Sequence, residues 1–185
     1  MMDDLIEDAI RRMDKSVETT QHEFNSIRTG RASAALLDRV QIDYYGTPTP
    51  LQQLATINVP EPRMLTIQPY DPGSVKAIER AIQESDLGLT PSNDGKLIRL
   101  PIPQLTEERR KELVKVVRGL AEDGRVAVRN VRRDAMHHLK ELVRAGDVGD
   151  DDERRAEERV QKLTDEHVSK IDELLKRKEA EILEV

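Results

Sequence analysis

The residues of this sequence with the clearest chemical potential are cations that recur at helical spacing between positions 111 and 132. Their separations alternate between four and three residues, so they share one face of a helix: Lys111, Lys115, Arg118, Glu122, Arg125, Arg129 and Arg132. Six of these seven side chains are cationic, and the row spans about 30 Å at 1.5 Å per residue. Arginine binds phosphate groups through paired hydrogen bonds, so this row, called here the basic stripe, predicts binding of a polyanion.

Further cations extend the basic stripe toward its amino-terminal end. Arg109 and Arg110 continue it at that end, and Arg28 and Arg31 could join them there. At the other end, Arg133 flanks the stripe one position off the row. Stripe positions lie two residues from the apolar positions of the same helix, which corresponds to about 200° around the axis. We therefore predict that the stripe faces solvent. The same geometry argues against ion pairs between the stripe and a neighbouring acidic helix.

The surroundings of the stripe favour RNA phosphates over exposed bases. The chain has a formal net charge of -6, yet residues 106–145 hold 11 basic and 7 acidic residues. Proteins that read single strands stack bases on aromatic side chains. The aromatic residues here are Phe24, Tyr44, Tyr45 and Tyr70, and none lies in the stripe. We expect contact with the phosphates and shape of a folded RNA, and not with DNA.

Other chemistry has little support in the sequence. There is no cysteine, and the four histidines lack metal-binding spacing, so neither a metal site nor a catalytic residue is predicted. No glycine-rich loop of the phosphate-binding type precedes a helix, so no cofactor is expected. The acidic run 150–153 leaves one alternative, a hydrolase that uses Asp151 and Asp152.

Three long helices must position the stripe, and each carries an apolar seam at alternating three- and four-residue spacing. The first runs from Ile6 to Ile27 and stops at Gly30; the second begins near Thr106 and continues to about Ala145. The third follows the turn at 146–152. The second seam is Leu113, Val117, Leu120, Gly124, Ala127, Val131, Ala135, His138 or Leu139, and Leu142. Such seams are buried best against one another, so the fold class is α+β with a long antiparallel three-helix bundle.

Residues 31–105 form a small β/α/β module inserted into the bundle, whose own parts are 1–30 and 106–185. Alternating apolar residues predict strands around Ile42, Ile57, Ile67 and Leu100, with GTPTP as a break after the first strand. Two segments connect the module to the bundle, 28–33 and 100–106. They predict a hinge through Thr29, Gly30, Arg31, Pro101, Pro103 and Gln104.

Several stretches of the chain resemble the ribosome recycling factor family over essentially the whole length. They are SIRTGRAS (26–33), DYYGTPTPL (43–51), QLA (53–55), SDLGLTP (85–91), LTEERRKELVK (105–115), VAVRNVRRDA (126–135) and VQKLTDE (160–166). The sequence departs from the family at Gly124, where a stronger helix former is usual. Glycine there costs about 1 kcal/mol relative to alanine, which suggests a less rigid helix.

The resemblance implies an L-shaped molecule that acts after translation termination. With elongation factor G and GTP it would split the ribosome and release mRNA and tRNA; the GTP is used by the partner. It implies contact with ribosomal RNA of the large subunit, best assigned to Arg129 and Arg132. Arg28, Arg31 and Arg110 are further candidates near the segments that connect the two parts of the molecule. From the stripe we add Lys115, Arg118, Arg125 and Arg133 to the predicted RNA-binding residues.

A second function stays open at this stage, a helical adaptor whose stripe binds an acidic protein. The acidic amino terminus resembles no targeting signal and no apolar run reaches the length of a membrane span, so we expect a cytoplasmic protein without membrane contact. We also expect it to be monomeric in solution.

Overall fold

A computed structural model describes residues 2–184 of the chain. The chain divides into two compact units, Met1–Thr29 with Glu107–Val185, and Gly30–Thr106. The first unit contains α1 (Met2–Asn25), α4 (Glu107–Arg144) and α5 (Asp150–Leu183). The second contains β1 (Gln41–Tyr44), β2 (Thr47–Pro50), α2 (Leu51–Leu54), β3 (Ala55–Glu61), β4 (Met64–Pro69), α3 (Val75–Glu84), β5 (Ser92–Asn93) and β6 (Ile98–Pro101). The predicted α+β class is confirmed.

The first unit is a three-helix bundle in which each helix packs against the other two. Arg12 of α1 bonds to Asp134 of α4, whereas Asp14 of α1 lies against His167 of α5. Farther along, Thr20 of α1 lies against Gly124 of α4, and Thr29, just after α1, bonds to Glu181 of α5. Together with the first two pairs, these contacts show that α1 and α5 run parallel to each other and antiparallel to α4. Helix α1 ends at Asn25, before the predicted stop at Gly30. The last turn closes earlier because the amide of Ile27 bonds to the carbonyl of Phe24 at 3.1 Å, a tighter spacing than in an α-helix.

The buried face of α4 differs from the predicted seam at several positions. It consists of Leu113, Val117, Ala121, Gly124, Val128, Val131, Ala135 and Leu139. The predicted members Leu120 and Ala127 are only half-buried, and His138 is exposed. Two helices pack against α4, so its buried band is broader than a seam for one partner and includes Ala121 and Val128.

Gly124 of α4 lies against both of the other helices of the bundle. A Cβ atom built on it would collide with Oγ1 of Thr20 in α1 and would lie 3.1 Å from Cδ1 of Ile171 in α5. Thr20 is itself buried and donates its hydroxyl hydrogen to the carbonyl of Ser16 at 2.9 Å. The missing side chain of Gly124 therefore makes room for Thr20, which is a packing reason for glycine at this position.

The second unit is built on a four-stranded antiparallel sheet with strand order β3-β4-β6-β5. Helix α3 contributes Val75, Ile78 and Ile82 to the core that also contains Leu65 and Ile98. The first strand ends at Tyr44, as predicted, but most of GTPTP is not a simple break, because Thr47–Pro50 pairs with β1 as the second strand of a hairpin. Tyr45 and Gly46 have φ of 51° and 81°, which a two-residue hairpin turn requires. Both prolines fit because β2 pairs on one side only.

Candidate nucleic-acid interface

The basic stripe lies on the flank of α4 and not on the side opposite the core. Its mean direction is about 110° from the centre of the buried face, at 100° per residue. The predicted angle of about 200° between stripe and core assumed that Leu120 and Ala127 belong to the core. The observed core instead includes Ala121 and Val128, which lie on the side of α4 nearer the stripe. One edge of the stripe therefore borders α5.

Two stripe arginines form ion pairs with acidic residues of α5. Nε of Arg118 lies 2.6 Å from Oε1 of Glu179. Nε and Nη2 of Arg125 lie 2.8 and 2.7 Å from Oδ1 of Asp172, and its Nη1 lies 3.1 Å from Oε2 of Glu122. The sequence argument against pairs between the stripe and the acidic third helix is thus wrong.

Arg125 is the more enclosed of the two, with a side chain only 19% exposed against 64% for Arg118. Burial lowers the pKa of the Arg125 guanidinium, but the hydrogen bonds to Asp172 and Glu122 outweigh burial and raise that pKa above its ordinary value. Arg125 is therefore held as a cation between two helices, and its paired carboxylates offset much of its charge.

Arg132 occupies the next position of the same edge but faces a neutral group. Its Nη1 lies 3.4 Å from the amide oxygen of Gln161, and the amide nitrogen of Gln161 donates to Oδ1 of Asp165 at 3.0 Å. The positive charge of Arg132 is consequently less compensated than that of Arg118 or Arg125.

The outward part of the stripe carries the most available cations. Lys115 and Arg133 are exposed and have no hydrogen bond or ion pair with any residue of 2–184. Arg129 has one contact, 3.5 Å from Glu122, which also serves Arg125. Lys111 lies 3.7 Å from Glu107 in the preceding turn. Exposed pairs at these distances contribute little to stability, so a phosphate can replace them readily.

The cations at the start of α4 and in the connecting segments have different settings. Arg109 lies 2.9 Å from Glu112. Arg110 is half-buried, and its buried Nε has no hydrogen-bond partner among the described residues. Arg28 is exposed in the first unit and Arg31 is exposed in the second.

The residues of the connecting segments are held by their own units. Within the bundle, the Thr29 hydroxyl donates to Oε1 of Glu181 at 2.9 Å. Within the sheet unit, the amide of Ala32 donates to the carbonyl of Pro62 at 2.7 Å. Pro101 is the last residue of β6 and pairs with Met64.

The remaining segment residues are in less regular settings. Gly30 has φ of 78° and packs against Leu105. The Gln104 amide faces the guanidinium of Arg63. Pro103 is exposed.

The partners of the stripe on α5 were missed in the sequence, although a signal was present. Asp172 and Glu179 are seven residues apart, as are Arg118 and Arg125. Such matched spacing on antiparallel helices is typical of pairs that flank a helix seam. The third helix is acidic in composition, but its register against the second helix cannot be obtained from spacing alone.

Within the described residues, no cluster of histidine and acidic side chains could hold a metal ion. His137 and His138 both lie near Glu141, at 3.0 and 3.6 Å. His167 is buried between Asp14 and the Leu163 carbonyl, each 2.6 Å from a ring nitrogen. No helix in 2–184 is long and apolar enough to cross a membrane.

These features define a class of protein: an α+β chain with an inserted sheet unit and a helical bundle that presents an exposed cationic face able to bind a polyanion. A sequence profile of the family described as ribosome recycling factor matches residues 20–183. The chain belongs to the ribosome recycling factor family.

Individual relatives agree along the full length. The ribosome-recycling factor of Rubrobacter xylanophilus is 59% identical over 186 residues, which covers 100% of both chains. That of Geobacillus kaustophilus is 55% identical over 185 residues, again with 100% coverage of both.

Two solved structures are similar to this chain. A solution structure of ribosome recycling factor has a TM-score of 0.77 and 43% identity, covering 100% of this chain and 98% of its own. The other comprises models of the T. thermophilus ribosome recycling factor and the E. coli elongation factor G bound to the E. coli post-termination complex. Its recycling factor has a TM-score of 0.65 and 47% identity over 100% of both chains.

Proposed function

We propose that this protein dissociates the post-termination ribosome together with elongation factor G and GTP, releasing mRNA and tRNA for a new round of initiation. The observation that carries the proposal is the exposed cationic face of α4 on a chain of this family. Lys115 and Arg133 offer charges that no described carboxylate neutralises, and among residues 2–184 Arg129 has an ion pair with Glu122 alone, at 3.5 Å. A relative at 47% identity is described as bound to a post-termination complex with elongation factor G.

The RNA contact is proposed to be with phosphates of the large-subunit ribosomal RNA. Lys115, Arg129, Arg132 and Arg133 form its centre, because their charges are less compensated than those of Arg118 and Arg125. Arg118 and Arg125 lie at its edge, where α5 already binds them. Arg28, Arg31 and Arg110 are assigned to its periphery. Helix α4 contains no aromatic residue, which supports phosphate contact over base stacking.

The chain is proposed to have no catalytic step and no cofactor of its own, with energy supplied by GTP on elongation factor G. Its contribution is to bind the ribosome in the cytoplasm as a monomer and to let the sheet unit move. We assign the pivot to Gly30, Arg31 and Pro103. Thr29 and Pro101 contribute less to the pivot, because each is paired with a residue of its own unit. Gln104 also contributes less, because its amide lies against the guanidinium of Arg63.

Disassembly of purified post-termination ribosomes tests the proposal. Subunit release, followed by light scattering, is expected only when this protein, elongation factor G and GTP are all present. Intact ribosomes in the complete mixture would refute the function.

A charge reversal at the interface tests its location. Arg133→Glu breaks no described contact within the bundle, so its helicity should be unchanged. We expect affinity for large subunits to fall about tenfold, because a charge-assisted hydrogen bond to phosphate is replaced by repulsion. Arg159→Glu is the matched control, since Arg159 is an exposed residue of α5 without a hydrogen bond or ion pair to residues 2–184. Equal losses for the two variants would refute the assigned face.

A further inference from the structure

The edge of the basic stripe beside α5 is occupied by carboxylates at two successive heptad positions. Glu179 binds Arg118 at 2.6 Å, and Asp172 binds Arg125 at 2.7 Å, whereas Arg132 meets only the neutral oxygen of Gln161. A carboxylate and a phosphate use the same oxygen geometry toward a guanidinium. Each of these acids therefore occupies a place that an RNA phosphate oxygen could take.

The two pairs differ in how easily they can be displaced. Arg118 is 64% exposed, although Glu179 is only 24% exposed, so a phosphate can approach the Arg118 guanidinium from solvent and compete with Glu179 for it. Arg125 is 19% exposed and also bonds to Glu122, so its release requires phosphates at close range. RNA that reaches only the outward cations leaves both pairs intact.

We propose that Asp172 and Glu179 are specificity-determining residues that compete with RNA phosphates for Arg125 and Arg118. An RNA surface that reaches both the outward face of α4 and its α5 edge replaces the carboxylates and gains two more phosphate contacts. An RNA that lies along the stripe but does not fit the α5 edge closely cannot displace the carboxylates and gains neither contact. This inference rests on the proposed RNA-binding function and explains why an RNA-binding face borders acidic side chains.

The experiment compares isosteric variants that remove each negative charge. Asp172→Asn and Glu179→Gln should each bind a short RNA duplex of unrelated sequence about two- to fivefold more tightly, and the double variant about tenfold more tightly. The slope of log affinity against log salt should become steeper by about 0.7–0.9 for each arginine released. Affinity for large subunits should rise less, so the preference for the ribosome over the duplex falls.

Glu173→Gln is the matched control. Glu173 is an exposed acid of α5 next to Asp172, and it contacts no arginine in the described structure. Its variant changes the net charge equally but should leave the salt slope for the duplex unchanged. An equal gain for Glu173→Gln would overturn the inference, because the effect would then be one of net charge.

Weaker duplex binding by the Asp172 or Glu179 variants would also overturn the inference, because the acids would then orient the arginines for RNA. Circular dichroism checks that each variant remains helical. If the double variant unfolds, Glu179→Gln alone decides, since its pair is the more exposed. The duplex measurements contain no ribosome, so they distinguish failure of this inference from failure of the proposed function, which the ribosome disassembly assay reports.

Discussion

The two glycines of α4 should respond oppositely to the same substitution. Replacing either by alanine gains about 1 kcal/mol of helix propensity. At Gly119, a Cβ atom would meet no atom within 4 Å, so the full gain should remain. At Gly124, the new methyl group would press against Thr20 and Ile171, and overpacking of this kind costs about 1–3 kcal/mol. The net loss for Gly124→Ala is about 1 kcal/mol.

Thermal unfolding followed at 222 nm measures this difference. The signal reports mainly the bundle, because α1, α4 and α5 contain 24, 38 and 34 residues and α3 contains 10. For a chain of this size 1 kcal/mol shifts Tm by about 2–4 °C. Gly119→Ala should raise Tm by about that amount, and Gly124→Ala should lower it.

A second background tests the cause of the loss. In a Thr20→Ala protein the colliding hydroxyl is absent, so Gly124→Ala should become neutral or stabilising, which a double-mutant cycle would register as coupling. The steric argument is refuted if Gly124→Ala raises Tm as much as Gly119→Ala does.

Two further outcomes follow from local geometry. The hydrogen bond from Arg12 holds the pKa of Asp134 below its ordinary value. This carboxylate therefore stabilises the folded bundle above a pH of about 4, and the stabilisation is lost as the pH falls through the lowered pKa. Asp134→Asn should lower the Tm of the bundle at neutral pH, and the difference from the wild type should vanish at lower pH; a constant difference would contradict this assignment. Tyr45 has φ of 51°, so Tyr45→Asn should stabilise the sheet unit by about 0.5–1 kcal/mol, because asparagine tolerates that conformation better. Urea unfolding followed by the near-ultraviolet signal of the other two tyrosines, both in the sheet unit, would show an unchanged midpoint if the turn is not strained.

The sequence predicts the elements of this fold well where periodicity decides them. The long seams of the three helices identify a bundle, because only apolar burial explains residues such as Met13, Val117 and Val160 at regular spacing. The spacing of apolar residues alone could not decide how many helices pack against the apolar face of α4. Because two helices pack against α4, its core includes Ala121 in place of the predicted Leu120. The buried face is therefore rotated toward the stripe, and the stripe lies at the edge of α5.

The sequence predicts which cations line the face of α4, but it does not predict which of them are paired with acidic residues. Lys115 and Arg133 are exposed as cations, while Arg118 and Arg125 are bound by acids more than forty residues away in the chain. Such pairs depend on the register of two helices, which a single sequence does not contain. The hairpin at Tyr45 and Gly46 was missed because the prolines of β2 conceal a strand that pairs on one side only.

The bundle is assembled from distant parts of the chain, and this has a consequence during protein synthesis. Helix α1 is made before its packing partners α4 and α5, which end only at residues 144 and 183. At translation rates of about 5–20 residues per second, α1 leaves the ribosome roughly ten to thirty seconds before α5 is complete. The sheet unit can fold during this interval, while the apolar seam of α1 has nothing to cover it. An isolated amphipathic helix of this length is only marginally stable in water, so the nascent α1 is a segment that chaperones can bind.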